Sequence, residues 1–167
     1  MMKELRIVSL FRQYDSPEEL PAEDKNLLMM AREAAKSAYA PYSQFYVGAA
    51  VLLENGVIVK GNNQENAAYP SGLCAERVAI FSAGANYPGV AVKAVAINAF
   101  SNEFKITDPV GPCGGCRQSM IEYENRYGKD IRVLLMNDDG NVIVTDTLKS
   151  YLPLVFSAES LKRKISV

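Results

Sequence analysis

The stretch FYVGAAVLLENGVIVKG (45–61) decides the fold. Two apolar runs, FYVGAAVLL and VIVKG, flank Glu54-Asn55-Gly56, and Asn-Gly between β-prone runs signals a tight hairpin turn. Any sheet these residues join therefore contains an antiparallel pair. Upstream, AEDKNLLMMAREAAKSA (22–38) reads as a helix, with Pro21 and early acids at its start. Within it Leu27, Met30, Ala31, Ala34 and Ala38 recur at helical spacing. Downstream, CAERVAIFSAG (74–84) reads as a helix closed by Gly84, and VKAVAINAF (92–100) as a central strand. CGGCRQSMIEYENRYG (113–128) follows as a helix ending at Gly128. IRVLLMN and VIVTD form strands around the turn Asn137-Asp138-Asp139-Gly140. Ser16-Pro17 with Glu18 and Glu19 opens a short turn, residues 3–12 fit either a strand or a helix, and a short helix is expected around 158–163. Helices alternating with buried strands imply one sheet covered on both faces. The expected fold is α/β, a three-layer α-β-α sandwich around a mixed, mostly five-stranded sheet.

A chain of 167 residues with no repeat and no linker-like segment fits a single domain over 1–167. Hydrophobic residues make up 49% and charged residues 22%, as in ordinary globular proteins. The formal net charge of −1, without a basic run, gives no reason to expect a nucleic-acid partner. No apolar stretch is long enough to span a bilayer, and MMKELRIVSLFRQYD lacks a small-residue cleavage site, so neither membrane nor secretory leader is expected. Three cysteines do not make a disulfide framework, which points to the cytoplasm. With no histidine in the chain, any transition metal must be carried by sulfur.

PCGGCRQ (112–118) admits three readings: a redox pair, half of a structural zinc site, or part of a catalytic one. Cys113 and Cys116 both fall where a helix begins, and the glycines between them give the backbone room to turn both toward one ion. The remaining cysteine, Cys74, also opens a predicted helix. Three thiolates meeting would leave a fourth position open, as catalytic zinc sites do and closed structural sites do not. Glu76 stands two residues beyond Cys74, the wrong spacing to share a face on a regular helix. Singly, Cys74 reads as a small buried hydrophobe and Glu76 as a favourable first-turn charge. Arg77 and Arg117 adjoin the cysteine turns; hydrogen bonds from either to sulfur would offset the surplus negative charge, while the plain reading of each is a solvated surface residue.

YSQFYVGAA (42–50), GNNQENAAY (61–69), CAER (74–77), PCGGCRQ (112–118) and a weaker YLPLVF (151–156) closely resemble the cytidine deaminase family in its small homotetrameric, three-cysteine branch. The resemblance covers about residues 22–160 and leaves roughly residues 1–20 as an N-terminal extension. It implies zinc, one per subunit, on Cys74, Cys113 and Cys116, with Glu76 shuttling protons in the hydrolytic deamination of cytidine and deoxycytidine during pyrimidine salvage. It further implies ribose contacts from Asn63 and Glu65, ring packing by Phe45, backbone N–H groups near Ala75 that orient the substrate, and donation from Arg77 to the sulfurs. Phe156 matches an aromatic that reaches a neighbouring subunit's pocket. Without the resemblance, Phe45 reads as a core aromatic and Asn63 as a turn residue. Gln64 replaces a usual apolar residue, with its side chain expected to point away from the ligand and little change in chemistry, while PSGL (70–73) differs in detail from many relatives, which bears on the pocket's shape. Alternatives are a deaminase of the blasticidin-S type, a non-enzymatic zinc or redox module, and editing of cytosines within RNA or DNA, which needs a basic groove this composition does not offer.

Overall fold

The computed structural model describes residues 2–158. In chain order, strand β1 (Arg12–Tyr14) leads through a 3₁₀ turn, Pro17–Glu19, to helix α1 (Ala22–Ala35). Strands β2 (Phe45–Leu53) and β3 (Ile58–Asn62) form the hairpin, with Gly56 in its turn at φ 84°. Helix α2 (Ala75–Asn86), strand β4 (Val92–Ser101), helix α3 (Gly114–Tyr127), strand β5 (Arg132–Met136) and strand β6 (Val142–Thr145) complete the order. The strands form one mixed sheet, β1-β6-β5-β4-β2-β3, in which only β4 and β5 pair in parallel.

Period-two alternation sorts the side chains into two cores. Ala50, Leu52, Ala94, Ala96, Leu134 and Met136 pack against Leu27, Leu28 and Ala31 of α1. Ala49, Val51, Val95, Ile97, Val133 and Leu135 pack on the other face against α2 and α3, through Ala79, Ile80, Met120 and Ile121. This is the expected three-layer sandwich. A glycine lets a helix close onto each face. A Cβ on Gly48 would lie 2.0 Å from Ala31 O of α1, and one on Gly61 2.4 Å from Ala79 N of α2.

Among the described residues the sheet has six strands rather than five. The extra one is β1, from the N-terminal extension, which pairs antiparallel with β6 and covers that edge. Of the two readings open for residues 3–12, only Arg12 is in a regular element, and that element is a strand. The expected turn at Ser16 forms with a full capping box, Ser16 accepting from the third position and Glu19 reaching back. Two helix ends differ from expectation. Helix α1 stops at Ala35 rather than residue 38, because Lys36, Ser37 and Ala38 donate to carbonyls three residues back and tighten the last turn. Helix α2 passes through Gly84 and ends at Asn86: the Tyr123 hydroxyl of α3 lies 2.4 Å from where a Gly84 Cβ would stand. Gly84 thus marks helix–helix packing, and the stop belongs to Tyr87-Pro88, with Gly89 at φ 83°. Gly128 does close α3, left-handed at φ 62°. The helix expected around 158–163 lies outside the described residues from 159 onward. Among the described residues no helix is long and apolar enough to cross a membrane.

Candidate active site

Topology sets the place. Strands β3 and β4 are both antiparallel to β2, so they point the same way, and the helices that follow them begin on one edge of the sheet. Strand β2 runs oppositely, which brings its first residues to that edge, with Phe45 in register with Ser101. Such crevices beyond the carboxyl ends of strands are where α/β sheets bind ligands.

Cys74 is the residue capping α2 and Cys113 the one capping α3, both extended, and neither sulfur is spent on a capping hydrogen bond. Residues at the cap and at the third helical position meet on one side of a first turn, as in a capping box. Both helices use that relation. It brings Cys113 Sγ to 3.4 Å from Cys116 Sγ, and Arg77 Nη2 to 3.8 Å from Cys74 Sγ, to which it donates. Across the two helices Cys74 Sγ and Cys113 Sγ are 3.9 Å apart, and all three sulfurs lie within 4.8 Å of one another. Two metal–sulfur bonds of about 2.3 Å at a tetrahedral angle place sulfurs roughly 3.7 Å apart, so the donor set fits zinc.

Cys74 and Cys116 titrate as one pair. The Cys116 thiol donating to Cys74, against the opposing effect of burial and with help from Arg77 and Cys113, draws the Cys74 pKa down to about 5. Cys116, which holds that shared proton and is itself buried, is pushed up. Arg77 remains half-satisfied: its Nε is buried without a hydrogen-bond partner.

Glu76 follows Cys74 by two residues and is 5% exposed. Burial pushes its carboxyl up, opposed by its own backbone N–H. The turn into the helix, rather than regular helical spacing, brings it to the same side as the cysteines. Glu76, Cys74 and Cys113 line a chamber of about 210 Å³ whose other walls include Phe45, Val47, Ile97 and Ala99. Phe45 stacks on Phe104, with ring centroids 6.3 Å apart. Asn63 and Cys74 border this chamber and also a wider outer cleft of about 500 Å³, which Glu65, Tyr42, Tyr69 and Leu73 help to line.

Both polar residues at this border brace the start of β2. The Asn63 amide donates to Phe45 O at 2.9 Å and accepts from Val47 N at 2.8 Å. Glu65 accepts from Tyr42 N at 2.9 Å, from Ser43 N at 3.3 Å and from the Ser43 hydroxyl. Desolvation opposes ionisation of Glu65, but these bonds hold its carboxyl below the usual range. Between these anchors Gln44 takes φ 53°, unusual for a residue with a side chain. Its amide closes the turn by donating to Pro41 O and accepting from the Tyr46 hydroxyl.

One expected residue turns elsewhere. Arg117 gives its bonds to carbonyls rather than sulfur: Nε donates to Pro112 O at 2.7 Å and Nη1 to Tyr151 O at 3.3 Å. Among the described residues Arg117 makes no bond to sulfur; it ties the Pro112 peptide, which enters Cys113, to Tyr151. Phe156 is 64% exposed and lies outside the chamber lining, with Gln118 Nε2 donating to its carbonyl. Ala75 is fully buried as the first residue of α2. The sequence reading missed Val47, Ile97, Ala99 and Gly111 as walls. Strand alternation from Phe45 marks Val47; nothing local marks Gly111.

Three thiols at paired helix starts, with an acid and a chamber beside them, define an α/β protein whose cysteines could hold a metal ion. Residues 21–127 match the family model described as the cytidine and deoxycytidylate deaminase zinc-binding region. A cytidine deaminase of Sporosarcina psychrophila is 41% identical over 138 residues, covering 82% of this chain and 93% of the relative. One from Halalkalibacterium halodurans is 40% identical over 135 residues, covering 81% and 95%. The crystal structure of cytidine deaminase from Burkholderia pseudomallei superposes with a TM-score of 0.68 at 41% identity, covering 78% of this chain and 97% of that one. The chain belongs to the cytidine and deoxycytidylate deaminase family.

Proposed function

We propose that this chain is a zinc hydrolase that converts cytidine and deoxycytidine to uridine and deoxyuridine with release of ammonia, serving pyrimidine salvage in the cytoplasm. The observation that carries the reading is one chamber shared by Glu76, Cys74 and Cys113 beside Phe45. Alone the chamber is smaller than the roughly 300–1,000 Å³ of most small-ligand sites, but joined to the outer cleft it falls within that range. A pyrimidine ring occupies the chamber and the sugar lies outward.

Cys74, Cys113 and Cys116 hold one zinc per subunit, which when bound supplies the Lewis acidity that makes water ionise near neutral pH. Glu76 takes the proton from the attacking water at its carboxylate and delivers it to N3 of the ring. It then takes the proton of the hydroxyl added at C4 and passes it to the amino group there, which leaves as ammonia as the C4 carbonyl forms, in the manner of zinc deaminases as a class. A carboxyl whose affinity for protons is raised by burial suits traffic in both directions. Arg77 draws charge from Cys74 Sγ. Phe45 packs on the ring, the N–H of Ala75 orients it, and Asn63 and Glu65 hold the ribose. Since both side chains already brace residues 42–47, sugar binding also fixes the chamber's aromatic wall. The single domain assembles as a homotetramer in which the exposed Phe156 reaches a neighbouring pocket.

Ammonia release by the zinc-loaded protein is compared for cytidine, deoxycytidine, free cytosine and blasticidin S. The two nucleosides turn over and the others do not. Release from blasticidin S alone replaces the reading with the antibiotic-deaminase one, and no release from either nucleoside overturns it.

A further inference from the structure

The N-terminal extension lies outside the family match at 21–127 and outside the residues assigned to chemistry above. It is nevertheless pinned at closely spaced points. Ser9 Oγ donates to Ser150 O at 2.9 Å, and Thr145 Oγ1 donates to Leu10 O at 2.9 Å. Arg12 grips Asp146 with two bonds of 2.9 and 2.7 Å as β1 pairs with β6. Phe11, held between these anchors, meets the Tyr151 ring edge-on with centroids 4.9 Å apart.

Tyr151 leads to the metal turn. The Arg117 guanidinium lies over its ring, 5.5 Å from the centroid, and donates to its carbonyl. The same guanidinium donates from Nε to Pro112 O, the carbonyl of the peptide that enters Cys113. That peptide plane sets the backbone from which Cys113 Sγ projects. The Tyr151 hydroxyl is buried without a hydrogen-bond partner among the described residues, so the ring is held by its packing and by the Arg117 guanidinium. One of its packing partners is Phe11, and the two share the wall of a cavity with Gly111 and Leu135. Gly111 also lines the chamber, so its loop separates the two spaces.

We propose that Phe11 is a positioning residue for the metal site, acting through Tyr151 and Arg117 to fix the Pro112–Cys113 peptide. The N-terminal extension thereby does more than cover a sheet edge. The proposal rests on the reading that the three cysteines hold zinc.

Groups that orient metal ligands typically change metal affinity by about 10–100-fold when removed. The test measures zinc release from the loaded full-length protein into excess chromogenic chelator, well below its melting midpoint. Phe11→Ala releases zinc about ten-fold faster than the unmodified chain, at the low end of that range. Tyr151→Leu, which breaks the next link, shows the same acceleration, and Phe11→Tyr restores the slow rate. Leu5→Ala, on an exposed part of the same segment, leaves it unchanged. Release at the unmodified rate from Phe11→Ala or from Tyr151→Leu overturns the proposal, even where the melting midpoint falls, because a purely structural contact would lower only the midpoint. If the unmodified protein binds no zinc or does not deaminate either nucleoside, the functional reading fails before any variant is compared.

Discussion

At Glu76 a single side chain carries two demands that burial reconciles. Its carboxylate is not one of the three grouped ligand atoms, yet it lies beside Cys74 and Cys113 in the same chamber. A carboxyl in water gives up its proton too readily to serve as an acid; burial makes it hold that proton more tightly. Glu76→Gln keeps the shape and replaces a group that can take up and release a proton with a neutral amide that cannot. The variant therefore retains zinc at the unmodified stoichiometry and loses about 10²–10⁴-fold in turnover, the usual contribution of a positioned acid–base group. Metal analysis and ammonia release on the same preparation check this together. Zinc loss would make Glu76 a contributor to the metal site, and unchanged turnover would remove it from the chemistry.

At the scale of elements, the site depends on how closely α2 is laid against β3. Gly61 and Gly48 are matched in role, each letting one helix layer touch the sheet, but only Gly61 lies beneath the helix that begins with Ala75 and Glu76. Cβ atoms at either position would strike helix backbone, which no rotamer change can move aside. Overpacking of this kind costs about 1–3 kcal/mol or more. The melting midpoint of a chain this size falls by about 2–4 °C per kcal/mol. Both Gly48→Ala and Gly61→Ala are destabilised, but only Gly61→Ala also loses turnover per folded molecule, because α2 must back away from the chamber. Equal turnover in the two folded variants would mean that α2's first turn adjusts independently of the sheet. The sequence discloses such elements unevenly. Asn55-Gly56 and Gly128 mark their turns because the backbone there needs a positive φ that few other residues accept. Gly84 looks the same in the sequence but answers to Tyr123, a residue 39 positions away that no local pattern connects to it. The cysteine cluster is legible because cysteines at two helix starts are rare and chemically narrow. Arg117 misleads because adjacency to a cysteine in sequence does not say which way a long side chain turns, and Tyr151, its partner, arrives from the far end of the chain.

Across the whole molecule, the sheet has two edges, and the N-terminal segment covers the β6 one. Strand β6 reads VIVT, apolar and β-branched, the kind of strand whose open edge templates pairing with another copy. Its outward hydrogen-bonding groups are taken by Arg12 to Tyr14, in register with Val144 to Val142. Deleting residues 2–14 removes that cover but leaves the Ser16–Glu19 capping box and everything after it in place. Deleting only residues 2–8 leaves β1, the Ser9 and Leu10 anchors and Phe11 intact. Light scattering across a concentration series distinguishes the results. The shorter deletion behaves as the full chain does, with a particle mass that plateaus, as any closed assembly does. The longer deletion grows in mass with concentration and does not plateau, since edge-to-edge strand addition has no point of closure. A plateau at the full chain's mass for the 2–14 deletion would show that the β6 edge is guarded by something other than β1, and would leave Phe11's contact with Tyr151 as the main contribution of the extension.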